Sequence, residues 1–277
     1  MKLQIAVVQF AIQQFTPEEN LRKAEQYIQE ASSARAQVIV FPEDFITGPL
    51  NGAQAHADYE GRYVQHFQQL ARRYAIDIVP GSIIEGDENG LYNTAYYIDS
   101  AGTIKGRYRK VNLWLPERSY ITAGQEIAVF DTAYGRVGLI ICWDLMFPET
   151  FRAMLKERVE IVLCPSFWCF EDAGEGMKYE AQAEVKLVNA LCVARAFENN
   201  VVVVYANAAG SQSYDGAEEH LIGRSQITVP FKGALKLLDH NREEMFIQEV
   251  DTAILPVAER AYEIRKDLET RLAPIVP

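Results

Sequence analysis

Seven apolar, β-rich runs recur along this chain: IAVVQF (5–10), AQVIVFP (36–42), DIVPGSII (77–84), TAYYID (94–99), VGLIIC (137–142), EIVLCP (160–165) and NVVVVYAN (200–207). They lack the apolar–polar alternation of a strand with one wet face, so both faces must be buried. Helical patterns separate several of them. Residues 17–34 open with Thr16 as the expected N-cap, Pro17 at the first helical position and Glu18-Glu19 in the first turn. Segments 60–75 and 148–158 read similarly, and the longest helix is expected at 178–198. Strand–helix–strand repetition predicts an α/β fold whose helices cover the sheet. TAYYIDSAGTIKGRYRK reads as a hairpin around Ser100-Ala101-Gly102, so the pairing is mixed. No linker, repeat or low-complexity tract divides the 277 residues, and one domain, 1–277, is expected. Segments 47–58 and 170–177 read as long surface loops, where function concentrates.

Apolar residues make up 49% and charged residues 23%, the balance of a globular protein, with a net charge of −11. An acidic surface gains nothing from phosphate backbones, which excludes nucleic acid as a partner, and no basic amphipathic stretch points to a membrane. No apolar run approaches the roughly 18–20 residues of a membrane span. MKLQIAVVQF reads as a first strand rather than a secretion signal, so a cytoplasmic location is expected. There Cys142, Cys164, Cys169 and Cys192 would be free thiols. Cys164 and Cys169 are five apart with no CxxC and no nearby histidine. His56, His66, His220 and His240 are scattered. No metal is expected.

Three of the runs end in a chemically unusual residue: VIVFPE at Glu43, IKGRYRK at Lys110 and GLIIC at Cys142. Each alone has a bland reading, as a loop carboxylate, an exposed strand charge or an inert core thiol. Strand ends, however, are where α/β sheets hold ligands. Brought together, an ammonium would stabilise a thiolate and an oxyanion, and a carboxylate raised by burial would take the thiol proton. A cysteine–histidine pair is the other thiol mechanism, though no histidine lies at a comparable strand end.

VIVFPED (38–44), YRKVNLWLPERSYITAG (108–124), GLIICWDLMFPE (138–149), LCVARAFENNVVVVYANAAG (191–210) and GRSQITVPFKG (223–233), in this order, resemble the nitrilase superfamily of carbon–nitrogen hydrolases over residues 1–255. The resemblance implies a four-layer α-β-β-α sandwich, commonly dimerised, with no cofactor. It makes Glu43 the general base, Lys110 the stabiliser of the tetrahedral intermediate, Cys142 the nucleophile and Glu117 a second, positioning glutamate. The backbone N–H of Trp143 would complete the oxyanion hole. The tail, 256–277, and the apolar LVNALCVA (187–194) are expected at an oligomer contact.

Nitrilases of this family typically read Cys-Trp-Glu at the nucleophile. Cys142-Trp143-Asp144 therefore favours a small amide or carbamoyl substrate over a nitrile. A catalytically silent binding protein is the alternative of another class, and the presence of all four catalytic positions argues against it. Relatives that act on carbamoyl amino acids or ω-amides of dicarboxylates tend to carry arginine three or four residues after the nucleophile, where this chain has Leu145 and Met146. Met146, Phe167 and Trp168 are thus expected to contact substrate, with Glu171, Asp172 and Glu175 as an acidic rim that favours neutral or cationic amides.

Overall fold

The computed structural model describes residues 1–214 and 217–271. Chain order begins with β1 (Lys2–Ala11), β2 (Val38–Val40), β3 (Asp77–Val79), β4 (Ser82–Asp87), β5 (Gly90–Ile98) and β6 (Ile104–Arg109). It continues with β7 (Ala128–Thr132), β8 (Gly135–Leu139), β9 (Ile161–Ser166) and β10 (Val202–Ala209). The hairpin of β11 (Ser211–Tyr214) and β12 (Ala217–His220) stands apart, followed by β13 (Gln226–Val229), β14 (Gly233–Leu237) and β15 (Glu244–Asp251). The helices are α1 (Pro17–Ser33), α2 (Arg62–Tyr74), α3 (Pro148–Lys156), α4 (Ala183–Asn199), α5 (Ile254–Tyr262) and α6 (Ile264–Arg271).

One sheet runs β15-β1-β2, then β3 and β4 in a single lane, then β5 and β6. The other runs β7-β8-β9-β10-β13-β14. They join where the end of β1 pairs in parallel with the end of β10, Phe10 opposite Ala208. The expected strand 77–84 is broken at Pro80-Gly81. Gly81 has φ +59°, and a Cβ there would lie 1.7 Å from the Pro42 carbonyl oxygen. Only glycine lets this turn press against the segment that carries Glu43.

The pairings orient the site. β2 and β3 are parallel, β5 is antiparallel to β3, and β6 is antiparallel to β5, so β2 and β6 point the same way. β8, β9 and β10 are mutually parallel, and β10 runs with β1 and hence with β2. Glu43, Lys110, Cys142 and Phe167, each just past the C-terminal end of one of these strands, therefore emerge at one end of both sheets.

Alternate β1 side chains separate two cores, as the two-residue strand period requires. Leu3, Ile5 and Val7 join a cluster that includes Leu139, Leu163 and Val203 of the second sheet and reaches Phe151 of α3 and Val188 of α4. Ala6, Val8 and Phe10 pack instead on Ala24 and Ile28 of α1 and Phe67 and Leu70 of α2. The layers are thus helices, sheet, sheet, helices, the expected α-β-β-α sandwich.

Three local expectations are corrected. Thr16 occupies the N-cap position but its hydroxyl donates back to the Gln13 carbonyl at 2.9 Å instead of capping. The long helix begins at Ala183 rather than 178. The expected open loop 170–177 is largely a 3₁₀ segment, Glu171–Lys178, kinked at Gly174. Among the described residues no helix is long and apolar enough to cross a membrane. The expected tail 256–277 comprises α6 and most of α5, with 272–277 outside the described residues.

Candidate active site

At the shared strand ends lies a cavity of about 90 Å³ whose lining includes Glu43, Lys110, Glu117, Cys142, Trp143 and Phe167. β8 ends at Leu139, and the chain stays extended to Ile141 before Cys142 turns into the left-handed region at φ +44°. A non-glycine residue there costs about 1–2 kcal/mol, so the neighbours must hold it. Asp144 does so. One of its oxygens accepts the Ile141 N–H at 2.9 Å and the Tyr108 hydroxyl at 2.8 Å. The other accepts the backbone and side-chain N–H groups of Asn112, both at 2.9 Å. This wholly buried carboxylate ties the Cys142 turn to both flanks of Lys110 and does not line the cavity. Asp144, the residue after Cys-Trp, therefore acts through the backbone rather than by contact with the cavity. Asp144→Asn puts an amide where two donors now meet an oxygen. It should destabilise the fold by roughly 2–4 kcal/mol and lower kcat more than it changes KM. Denaturant midpoints and steady-state kinetics matching wild type would overturn this role.

Lys110 is 2% exposed. Its ammonium donates to Glu43 Oε1 at 2.7 Å and Glu117 Oε2 at 2.6 Å, and Asn93 Nδ2 donates to both glutamates at 2.9 Å. Of the three ammonium protons one is left for a ligand. Burial alone would depress this lysine, but Glu117 and Glu43 outweigh it and hold its pKa well above the ordinary value. Burial, and then the charge of Glu117, push Glu43 upward against the pull of Lys110. Burial, then Glu43, push the Cys142 thiol well up, so the resting group is the thiol and a base is needed. The Phe167 peptide stands between base and thiol: its N–H donates to Glu43 Oε2 at 2.9 Å, and its carbonyl accepts from Cys142 Sγ at 3.5 Å. Oε2 carries this one hydrogen bond while Oε1 carries two, which leaves Oε2 the freer acceptor. Such a set can shuttle a thiol proton and hold an oxyanion.

The structure thus brings together Glu43, Lys110, Glu117, Cys142 and Trp143. The Trp143 ring packs between Trp114 and Trp168, at 4.4 and 5.6 Å between centroids. Phe167 and Trp168 line the cavity, and among the described residues no histidine or arginine does. Met146 does not line it. Met146 packs against the core and Leu145 is fully buried, because the short turn between Cys142 and α3 turns its apolar side chains inward. Arg195 of α4 fixes the turn by donating to the Leu145 and Met146 carbonyls at 3.0 and 2.9 Å. Of the expected acidic rim only Asp172 reaches the cavity. Glu171 pairs with His220, and Glu175 with Lys178. Sequence reasoning missed Asp44, Asn93, Tyr120 and Glu219. Asn93 had a signal, a lone amide inside an otherwise apolar strand run.

A family model described as carbon-nitrogen hydrolase matches residues 4–255. The 2-oxoglutaramate amidase of Bacillus subtilis is 30% identical over 280 residues, covering 97% of this chain and 100% of that protein. A nitrilase of Pyrococcus abyssi is 31% identical over 256 residues, 90% of each. A carbon–nitrogen hydrolase from Helicobacter pylori shares the fold at a TM-score of 0.89 and 20% identity, over 100% of this chain and 99% of that one.

Proposed function

The chain belongs to the carbon–nitrogen hydrolase family of the nitrilase superfamily, and from that premise we propose that it is a thiol amidohydrolase acting on a small amide or carbamoyl compound. The observation that carries this reading is the meeting of a thiol, a carboxyl raised by burial and an ammonium with one spare proton in a single cavity.

Cys142 Sγ attacks the carbonyl carbon as its proton passes to Glu43 Oε2. The oxyanion is received by the third proton of Lys110 and by the Trp143 backbone N–H. Glu43 returns the proton to the leaving nitrogen, the C–N bond breaks, and ammonia or an amine departs from a thioester. Glu43 then takes a proton from water as the water oxygen attacks the thioester. The C–S bond breaks, the acid is released and the proton returns to sulfur. Glu117 and Asn93 hold Lys110 and Glu43 in place throughout. Ammonia release across matched amides, carbamoyl compounds and nitriles tests the reading. Turnover of amides or ureas above nitriles is expected, and a nitrile-only profile would sink it.

We also propose a homodimer or a larger assembly of dimers. On α4, Leu187 and Leu191 are half-buried and Val193 is 38% exposed, a face more apolar than a solvated helix presents. Light scattering should return twice the chain mass, or an even multiple of it, at micromolar concentration, and a monomer there refutes it.

A further inference from the structure

Among the described residues five carboxyls line the cavity, Glu43, Asp44, Glu117, Asp172 and Glu219, against one cation, Lys110. Their hydrogen bonds divide them. Both oxygens of Glu43 and of Glu117 are engaged by Lys110, Asn93 and backbone N–H groups. Asp44 is different. Its Oδ1 accepts the Ser82 hydroxyl at 3.1 Å, and no donor among the described residues reaches its other oxygen. Asp44 is only 5% exposed and lines the cavity, so an oxygen without a donor lies beside the space a substrate would fill. Its backbone sits at φ +51°, an unfavourable conformation held by a bond from its own N–H to Ser82 Oγ at 3.1 Å. Asp172 spends one oxygen on the Cys169 N–H at 2.8 Å and keeps the other open, and half-buried Glu219 from β12 lies beside it on the same lining. Burying a carboxyl with an open acceptor is costly unless something arrives to use it. Among the described residues the lining supplies no second cation and no arginine.

We propose that the cavity selects an amide or carbamoyl compound bearing a primary ammonium group, with Asp44 as the buried carboxylate that receives that group and Asp172 and Glu219 lining the approach. An ammonium brings three donors to a site rich in unused acceptors, and its charge offsets the excess of carboxyls. Burial, then Glu43 and Glu117, push Asp44 well up when the cavity is empty, which lowers the cost of leaving it unpaired between turnovers. A carboxylate in the place of that ammonium would meet the like-signed Asp44, Asp172 and Glu219.

The position of the scissile bond rests on the amidohydrolase reading above; the ammonium subsite is tested separately from it. Matched pairs that exchange only ammonium for methyl, 5-aminopentanamide with hexanamide and (4-aminobutyl)urea with pentylurea, are measured twice. One arm is calorimetric binding to Cys142→Ala, the other turnover by the wild-type chain. Tighter binding of the ammonium member by at least tenfold is expected, with the same order in kcat/KM. In Asp44→Asn, which keeps a hydrogen-bonding group but loses the charge, the preference should fall at least tenfold. Equal binding of the two members, tighter binding of the methyl member, or a preference unchanged in Asp44→Asn overturns the subsite. Tight ammonium binding without wild-type turnover supports the subsite and sinks the hydrolase reading.

Discussion

Cys142→Ala should abolish turnover, a loss of at least about 10⁴-fold in kcat, while the fold survives. Among the described residues two thiols line the cavity, Cys142 and Cys169, and of the two Cys142 is the one beside Glu43 and Lys110. Its removal deletes one buried sulfur, which costs no more than roughly 1–2 kcal/mol. Cys142→Ser is expected to fail almost as completely, since a hydroxyl ionises far less readily than a thiol in the same buried site. Cys192, fully buried on the inner side of α4 and away from the cavity, provides the control: Cys192→Ala should retain turnover. Peptide mapping after iodoacetamide should place the adduct that tracks inactivation on Cys142. Wild-type turnover by Cys142→Ala would end the thioester mechanism.

Glu43→Gln should cost about 10³–10⁴-fold, the upper part of the range for proton transfer, because one carboxyl serves both half-reactions. The amide keeps the shape and can still receive the Asn93 and Lys110 hydrogen bonds through its oxygen. It can neither accept the thiol proton nor deliver one. Lys110→Ala should lose a similar amount through the oxyanion, and it leaves two carboxyls, Glu43 and Glu117, buried without their ammonium, so it should destabilise the fold more than Glu43→Gln, which only turns an amide NH2 toward the Phe167 N–H. The acid limb of kcat/KM follows the same group. Glu43 must be ionised to act as a base, and burial raises its pKa, so activity should fall away on acidification at a pH above the ordinary carboxylate range. Wild-type rates in Glu43→Gln, or an acid limb at the usual carboxylate pKa, would remove it from the role of base.

The sequence alone determined the layered α/β plan and three of the site's groups, because both are local patterns. Runs such as VIVFPE and GLIIC are apolar on both faces, which only a sheet covered by other layers can bury, and Glu43, Lys110 and Cys142 are legible as the polar residues that interrupt or end those runs. What period and composition do not encode is where a side chain points once the chain leaves regular structure. Cys142 and Asp44 sit in left-handed backbone, and Leu145 and Met146 in a 3₁₀ turn, where neither the two-residue nor the 3.6-residue period applies. Met146 therefore turned to the core and Asp44 to the cavity, against or outside expectation. Partners were equally out of reach. Glu43 and Lys110 are 67 residues apart, and Cys142 meets the Phe167 carbonyl only because β8 and β9 lie side by side and end together. Strand order and register decide those meetings. They also decide which carboxyl oxygens are spent on the protein and which are left for a ligand.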